Sequence, residues 1–217
     1  MTDLDLGLDA LARRTLRLST VDLMESGSKD ERSFAILTAC VGNICRSPLA
    51  ERLLDQRLRP VRNDTSVVVS SAGVRGLTGQ PMEPHAAAEL MRLGGDPDGF
   101  VARRVDAQIA GDADLILAMT REVRADVLKE QPRAMKRAFT LLEFAYLCRY
   151  AVEQDAPIYT VEDLLAYAAR HRSQAAGIEQ DVPDPIGRSP EVHREVADLI
   201  AVNVNVVSAL LVPLLRD

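Results

Sequence analysis

No tryptophan occurs among the 217 residues, aromatic side chains make up only 4%, and the thiols are three: Cys40, Cys45 and Cys148. Three cysteines are too few, and odd in number, for the disulfide framework of a secreted scaffold, so a reducing, cytoplasmic setting fits. No unbroken run of about 18 apolar residues is present, which predicts no membrane span. The opening MTDLDLGLDALARRTLRLSTVDL puts acids ahead of its basic residues and lacks an apolar core, so it does not read as a secretory signal. Positive charge is also scarce: 26 Lys and Arg face 32 Asp and Glu, a net charge of -6. That balance excludes a broad nucleic-acid surface, because such binding rests on basic side chains displacing counterions from phosphates. A local basic pocket stays compatible with it. His85, His171 and His193 show no Cys or carboxylate spacing of a metal site, so neither a metal nor another cofactor is expected.

What is present is the balance of a globular domain, 47% apolar and 27% charged. Residues 1–32 read as an N-terminal extension, a short helix followed by the polar linker Glu25 to Ser33, and residues 33–217 as the domain proper. From Phe34 onward, short apolar runs (FAILTA, SVVVSS, ADLILAM, RAFTL) alternate with helical patterns (PLAERLLDQRL, EPHAAAELMRL, REVRADVLKEQ). This alternation predicts an α/β fold, a parallel sheet flanked by helices. Ser189 to Leu215 carries apolar residues at helical spacing and predicts a long closing helix that Pro213 bends or ends. At about 144–180 a further segment with its own helical pattern, VEDLLAYAARHR, reads as an insert.

The chemistry concentrates in Cys40-Val41-Gly42-Asn43-Ile44-Cys45-Arg46-Ser47-Pro48, placed after an apolar run and before an amphipathic one. In a doubly wound sheet that loop lies at the carboxyl edge, where a helix presents free N–H groups to an anion. Ser47 and Pro48 suit a helix start, and Gly42 and Asn43 tolerate the positive φ of a curled loop. Val41 to Arg46 would turn their N–H groups inward as a phosphate nest. The same field favours a thiolate at Cys40, and Arg46 brings a planar fork able to grip two phosphate oxygens. Expelling an alkoxide or phenoxide also requires a protonated carboxyl. Asp184, between Pro183 and Pro185 in DVPDP, is the candidate, held in a stiffened loop.

CVGNICRSPLAE, SSAG at Ser70 to Gly73, DADLILAM at Asp112 to Met119 and VPDP at Val182 to Pro185 together resemble the low-molecular-weight protein tyrosine phosphatases, in the right order. The resemblance covers roughly Ser33 to Phe144 and Gln180 to Leu215. It implies a four-stranded parallel sheet in a Rossmann-like arrangement and metal-free phosphomonoester hydrolysis through a phosphocysteine. In that scheme Cys40 attacks phosphorus, Arg46 grips the phosphate, and Asp184 protonates the leaving oxygen before activating water. Ser47 would hydrogen-bond the sulfur, with Asn43 and Ser71 bracing the loop. Cys45 matches the family's second cysteine, a redox partner able to form a reversible disulfide with the nucleophile, and equally suits a small buried hydrophobe. The implied partner is a phosphorylated protein, by analogy a tyrosine kinase of envelope polysaccharide synthesis.

Phosphotyrosine-specific members place tyrosine after the Asp-Pro pair and an aromatic in the loop after the second strand. This chain has Ile186 and Val74 to Gln80 there, which implies a slot that is shallow, aliphatic, or lined by Tyr146, Tyr150, Tyr159 and Tyr167 of the insert. Ile44, where the arginine phosphatases carry threonine, argues against phosphoarginine. Two alternatives stand beside hydrolysis. One is an arsenate reductase using an external thiol, since only Cys148 lies downstream; the other is a non-hydrolytic phosphoprotein-binding module, which would need neither thiolate nor acid.

Overall fold

The computed structural model describes residues 33–61 and 67–216; the extension 1–32 lies outside them. Four apolar runs become strands: β1 (Phe34–Cys40), β2 (Val67–Gly73), β3 (Leu115–Ala118) and β4 (Ala138–Thr140). They pair in parallel in the order β2-β1-β3-β4, with Cys40 opposite Gly73 and Ala39 opposite Ala118. The chain therefore moves to one side of β1 to form β2 and to the other to form β3. Such a switch opens a crevice at the carboxyl ends of β1 and β3, the site this architecture reserves for ligands.

The period-2 alternation of strands divides the core in two. Ile36 and Cys40 of β1, with Leu115 and Leu117 of β3, face one apolar layer, whereas Leu37, Ala39, Ile116 and Ala118 face another. The first layer is covered by α1 (Arg46–Leu58), α2 (Pro84–Arg92), α5 (Leu141–Glu153), α6 (Val161–Arg170) and α7 (Pro190–Leu214). The second, smaller layer lies under α3 (Ala107–Asp112) and α4 (Arg121–Glu130). Strands buried on both faces explain why β1 and β3 read as continuous apolar runs rather than alternating ones.

By length and composition α7 could cross a membrane, which the sequence reading did not anticipate. In the fold it is a core helix. Val196, Ile200, Val204, Val207 and Leu211, spaced three or four apart, form a buried stripe against α1 and α5. Each such side chain contributes about 1.5–3 kcal/mol relative to an exposed one. Pro213 falls in the last turn, where the helix ends at Leu214.

The segment 144–180 begins inside α5, which starts directly after β4 at Leu141. Thr140 caps it reciprocally with Glu143, and Thr160 does the same for α6 with Asp163. Phe144, Leu147 and Cys148 are fully buried, and Arg172 lies over the Phe139 ring while pairing with Glu143 at 3.1 Å. The segment is thus continuous with the first core layer.

Candidate active site

Cys40 ends β1 and its sulfur sits under the start of α1. The carbonyls of Cys40, Val41 and Gly42 accept hydrogen bonds from Val74 N (3.0 Å), Arg75 N (2.9 Å) and Leu77 N (2.9 Å), and that of Ile44 from Glu83 N (2.7 Å). With its carbonyls held by these outer segments, the loop is free to turn its amides inward. Asn43 N donates to Cys40 Sγ at 3.2 Å, and Ser47 Oγ donates to it at 3.0 Å. Two donors aimed at one sulfur stabilise negative charge there.

The curl is made by Asn43 alone, at φ 57°. Gly42, expected to share it, does not take a positive φ, and a Cβ built there would meet only ordinary contacts with Ile44 and Leu77. The glycine that is needed is Gly73: a Cβ there would fall 2.5 Å from Val41 O and 2.9 Å from Asn43 N. Asn43 is fully buried; its Nδ2 donates to Ser47 Oγ (3.0 Å) and Ser71 Oγ (2.7 Å), and its Oδ1 accepts from Arg103 N (2.8 Å). Ser71 in turn donates to Glu51, whose carboxyl is raised above its ordinary range mainly by burial. This network fixes the orientation of the Asn43 amide and holds the residue in its left-handed conformation.

Ser47 is not the helix cap that its sequence position suggested. The cap position is Cys45, with no side-chain bond, and α1 begins at Arg46. That shift places the Ser47 hydroxyl on the sulfur and Pro48 in the first turn, where a missing N–H is harmless.

Arg46 is 5% exposed at its side chain. Its Nη1 donates to Val182 O at 3.0 Å and its Nη2 pairs with Asp184 Oδ2 at 2.9 Å. Its Nε is buried without a protein partner, a donor that an anion in the loop could use. The acid loop is in turn moored by Val182 N to Met119 O (2.8 Å), at the end of β3, and by Asp181, which accepts from Arg121 N at 2.7 Å. The Arg121 side chain holds the Asp181 carboxyl below its ordinary range. Asp184 itself is half exposed. The loop that carries Cys40 and Arg46 and the carboxyl of Asp184, distant in sequence, are thereby brought to the crevice that the strand order opens.

Cys45 is buried, and burial, followed by its neighbours Cys40 and Glu83, holds its thiol well above the ordinary cysteine range. Cys148 is 0% exposed and pushed up to about 12 by burial alone in the core of α5. Of the tyrosines considered for a slot, Tyr146 lines a cavity of about 400 Å³ with Pro183, Asp181, Leu142 and Arg149 beside the acid loop. Tyr150 stacks with Tyr146 and lies tilted against Tyr167 and His171, Tyr167 stacks with His171, and Tyr159 is exposed. Glu51 and Arg103 carry no role in the sequence reading: Glu51 stands inside the CVGNICRSPLAE motif, whereas nothing marks Arg103 locally.

A parallel α/β sheet whose first loop wraps a cysteine in backbone donors, with an arginine and an Asp-Pro carboxyl above it, defines a cysteine-dependent phosphatase. The model of the low molecular weight phosphotyrosine protein phosphatase family matches residues 35–171. The protein-tyrosine-phosphatase Ptp of Acinetobacter johnsonii is 35% identical over 106 residues, 49% of this chain and 70% of Ptp. Wzb of Salmonella typhi, a low molecular weight protein-tyrosine-phosphatase, is 34% identical over 154 residues, 68% of this chain and 97% of Wzb. The low molecular weight protein tyrosine phosphatase of T. tengcongensis superposes with a TM-score of 0.61 at 24% identity, covering 81% of this chain and 97% of that one, a likeness of fold. The chain belongs to the low molecular weight phosphotyrosine protein phosphatase family.

Proposed function

We propose that the chain hydrolyses phosphotyrosine on a protein substrate in two steps, with Cys40, Arg46 and Asp184 as the catalytic residues. The observation that carries this reading is the convergence on one point of the Cys40 sulfur, held by Asn43 N and Ser47 Oγ, and the Arg46–Asp184 pair at 2.9 Å. The amides of Val41 to Arg46 cradle the phosphate and Arg46 turns its fork to two of its oxygens. Cys40 forms the S–P bond as the P–O bond to tyrosine breaks, and Asp184 gives its proton to the departing phenoxide. The carboxylate left behind takes a proton from water, which attacks phosphorus and releases sulfur to the donors of Asn43 and Ser47. Asn43 and Ser71 act as positioning residues.

Leu77, tied beside the loop through its N–H to Gly42 O, and Ile186 are both exposed large apolar residues. They give the ring slot aliphatic walls. A cytoplasmic tyrosine kinase of envelope polysaccharide synthesis is the proposed substrate class, by analogy with the family. Cys45 is the proposed redox partner of Cys40, both thiols being free and buried. An internal relay for arsenate reduction is disfavoured, because Cys148 is sealed in the core.

The test is metal-free hydrolysis of p-nitrophenyl phosphate and of phosphotyrosine, phosphoserine and phosphoarginine peptides by wild type, Cys40→Ser and Asp184→Asn. Phosphotyrosine turnover lost in Cys40→Ser and strongly reduced in Asp184→Asn supports the reading. A folded wild type that turns over only arsenate with an added thiol, or merely binds phosphopeptide, would overturn it.

A further inference from the structure

Immediately behind the phosphate loop, three residues from separate elements converge. Cys45 caps α1, Glu83 caps α2, and His193 lies in the first turns of α7. One ligand atom from each (the sulfur, a carboxylate oxygen and an imidazole nitrogen) lies within 4.8 Å of the other two. His193 Nδ1 is an independent sign: its side chain is 2% exposed, yet among the described residues Nδ1 makes no hydrogen bond, not even to Glu83 Oε2 at 3.4 Å. A buried polar nitrogen left unpartnered is costly, so its retention beside a thiol and a carboxylate asks for a ligand.

We propose that Cys45, Glu83 and His193 form a binding site for a thiophilic divalent cation, with Zn²⁺ as the ion that this donor set matches. A tetrahedral zinc with these donors spaces them roughly 3.3–3.6 Å apart, so the three side chains draw in on the ion. Water takes the fourth position. On binding, the Cys45 S–H bond breaks, its proton passes to solvent, and the sulfur bonds the metal with no change of oxidation state. The carboxylate is already oriented, because Ala86 N donates to Glu83 Oε2 at 2.8 Å, the kind of outer contact that fixes a ligand. The site is coupled to the phosphate loop twice. Cys45 directly precedes Arg46, and Glu83 N is bonded to Ile44 O at 2.7 Å. An ion here pins the start of α1 to α7 and removes the Cys45 sulfur from reach of any oxidised Cys40.

The test is titration of the full chain with Co²⁺ and Zn²⁺, in wild type and in Cys40→Ser, the latter to remove the nucleophile as a rival thiol. The expected result is one equivalent of Co²⁺ giving a thiolate-to-cobalt charge-transfer band, displaced by Zn²⁺ and retained in Cys40→Ser. The band should vanish in Cys45→Ser, and affinity should fall by at least about tenfold in His193→Gln and Glu83→Gln. Circular dichroism and phosphate binding identify variants that stay folded. Absence of the band in folded wild type, its loss in Cys40→Ser, or its survival in Cys45→Ser overturns the site. A band that is indifferent to both His193→Gln and Glu83→Gln does the same, leaving a buried His–Glu pair as the cluster's whole meaning. None of these readouts depends on phosphatase turnover.

Discussion

The two loops that meet at the crevice are built by opposite means. The phosphate loop is buried and over-determined: its carbonyls are claimed by neighbouring segments, and Asn43 is held by Ser47, Ser71 and Arg103 together. The acid loop touches the rest of the site through single contacts, Arg46 to Val182 O and to Asp184, and its working carboxyl is half exposed. The difference teaches where tolerance lies. Binding and attacking phosphorus require fixed geometry, because donors must be in place before charge develops. Delivering a proton to varied leaving groups tolerates, and benefits from, a carboxyl on a less constrained arm.

This contrast can be broken most severely at the proposed nucleophile, Cys40. Cys40→Ser is expected to lower p-nitrophenyl phosphate turnover by at least about 10⁴-fold while binding of inorganic phosphate, measured calorimetrically, persists, because the amide cradle is intact. Asp184→Asn comes next, with kcat down by about 10²–10⁴-fold for phosphotyrosine peptide. The loss should shrink for leaving groups of low pKa, which need little protonation; equal losses across a leaving-group series would sink the acid assignment. Asn43→Ala probes the over-determined side through stability, with an expected loss of about 2–4 kcal/mol in urea unfolding from broken buried hydrogen bonds and a strained αL alanine. A loss below about 0.5 kcal/mol would mean the loop is no more constrained than the arm facing it.

The smallest effect concerns the mooring of the acid loop. The Asp181 carboxyl is held below its ordinary value by Arg121, so the pair contributes stability above the unfolded-state value, about pH 4, and loses it as pH falls through the lower folded value. Both side chains are well exposed, which limits the gain through solvent screening. Asp181→Asn should therefore be slightly less stable than wild type at pH 7, and the two thermal midpoints should converge as pH falls through the lowered folded value. A difference that widens on acidification would contradict the sign.

The same contrast explains what could be read without coordinates. The loop of Cys40 and Arg46 was legible because its residues are contiguous, the strands because short apolar runs recur between helical patterns, and most helices because their apolar residues follow a period of 3.6. The bond from Ser47 to the sulfur followed from the family resemblance, whereas its expected capping role did not hold, since capping depends on a one-residue offset that local preference does not fix. The helix α3 spans six residues, too short to carry a period. Arg103, and the meeting of Glu83 with His193, arise only when β2, α2 and α7 are packed, so no local pattern announces them.

The Arg46–Asp184 pair makes the protein a rival to its own ligands. A phosphate that takes Arg46 Nη2 must first displace the carboxylate, and for that mode of binding the measured affinity is the intrinsic affinity scaled by the fraction of molecules in which the pair is open. The competition weighs on product as heavily as on substrate. Inorganic phosphate offers no peptide contacts to offset that equal cost, and in the proposed cycle re-formation of the bond helps release it.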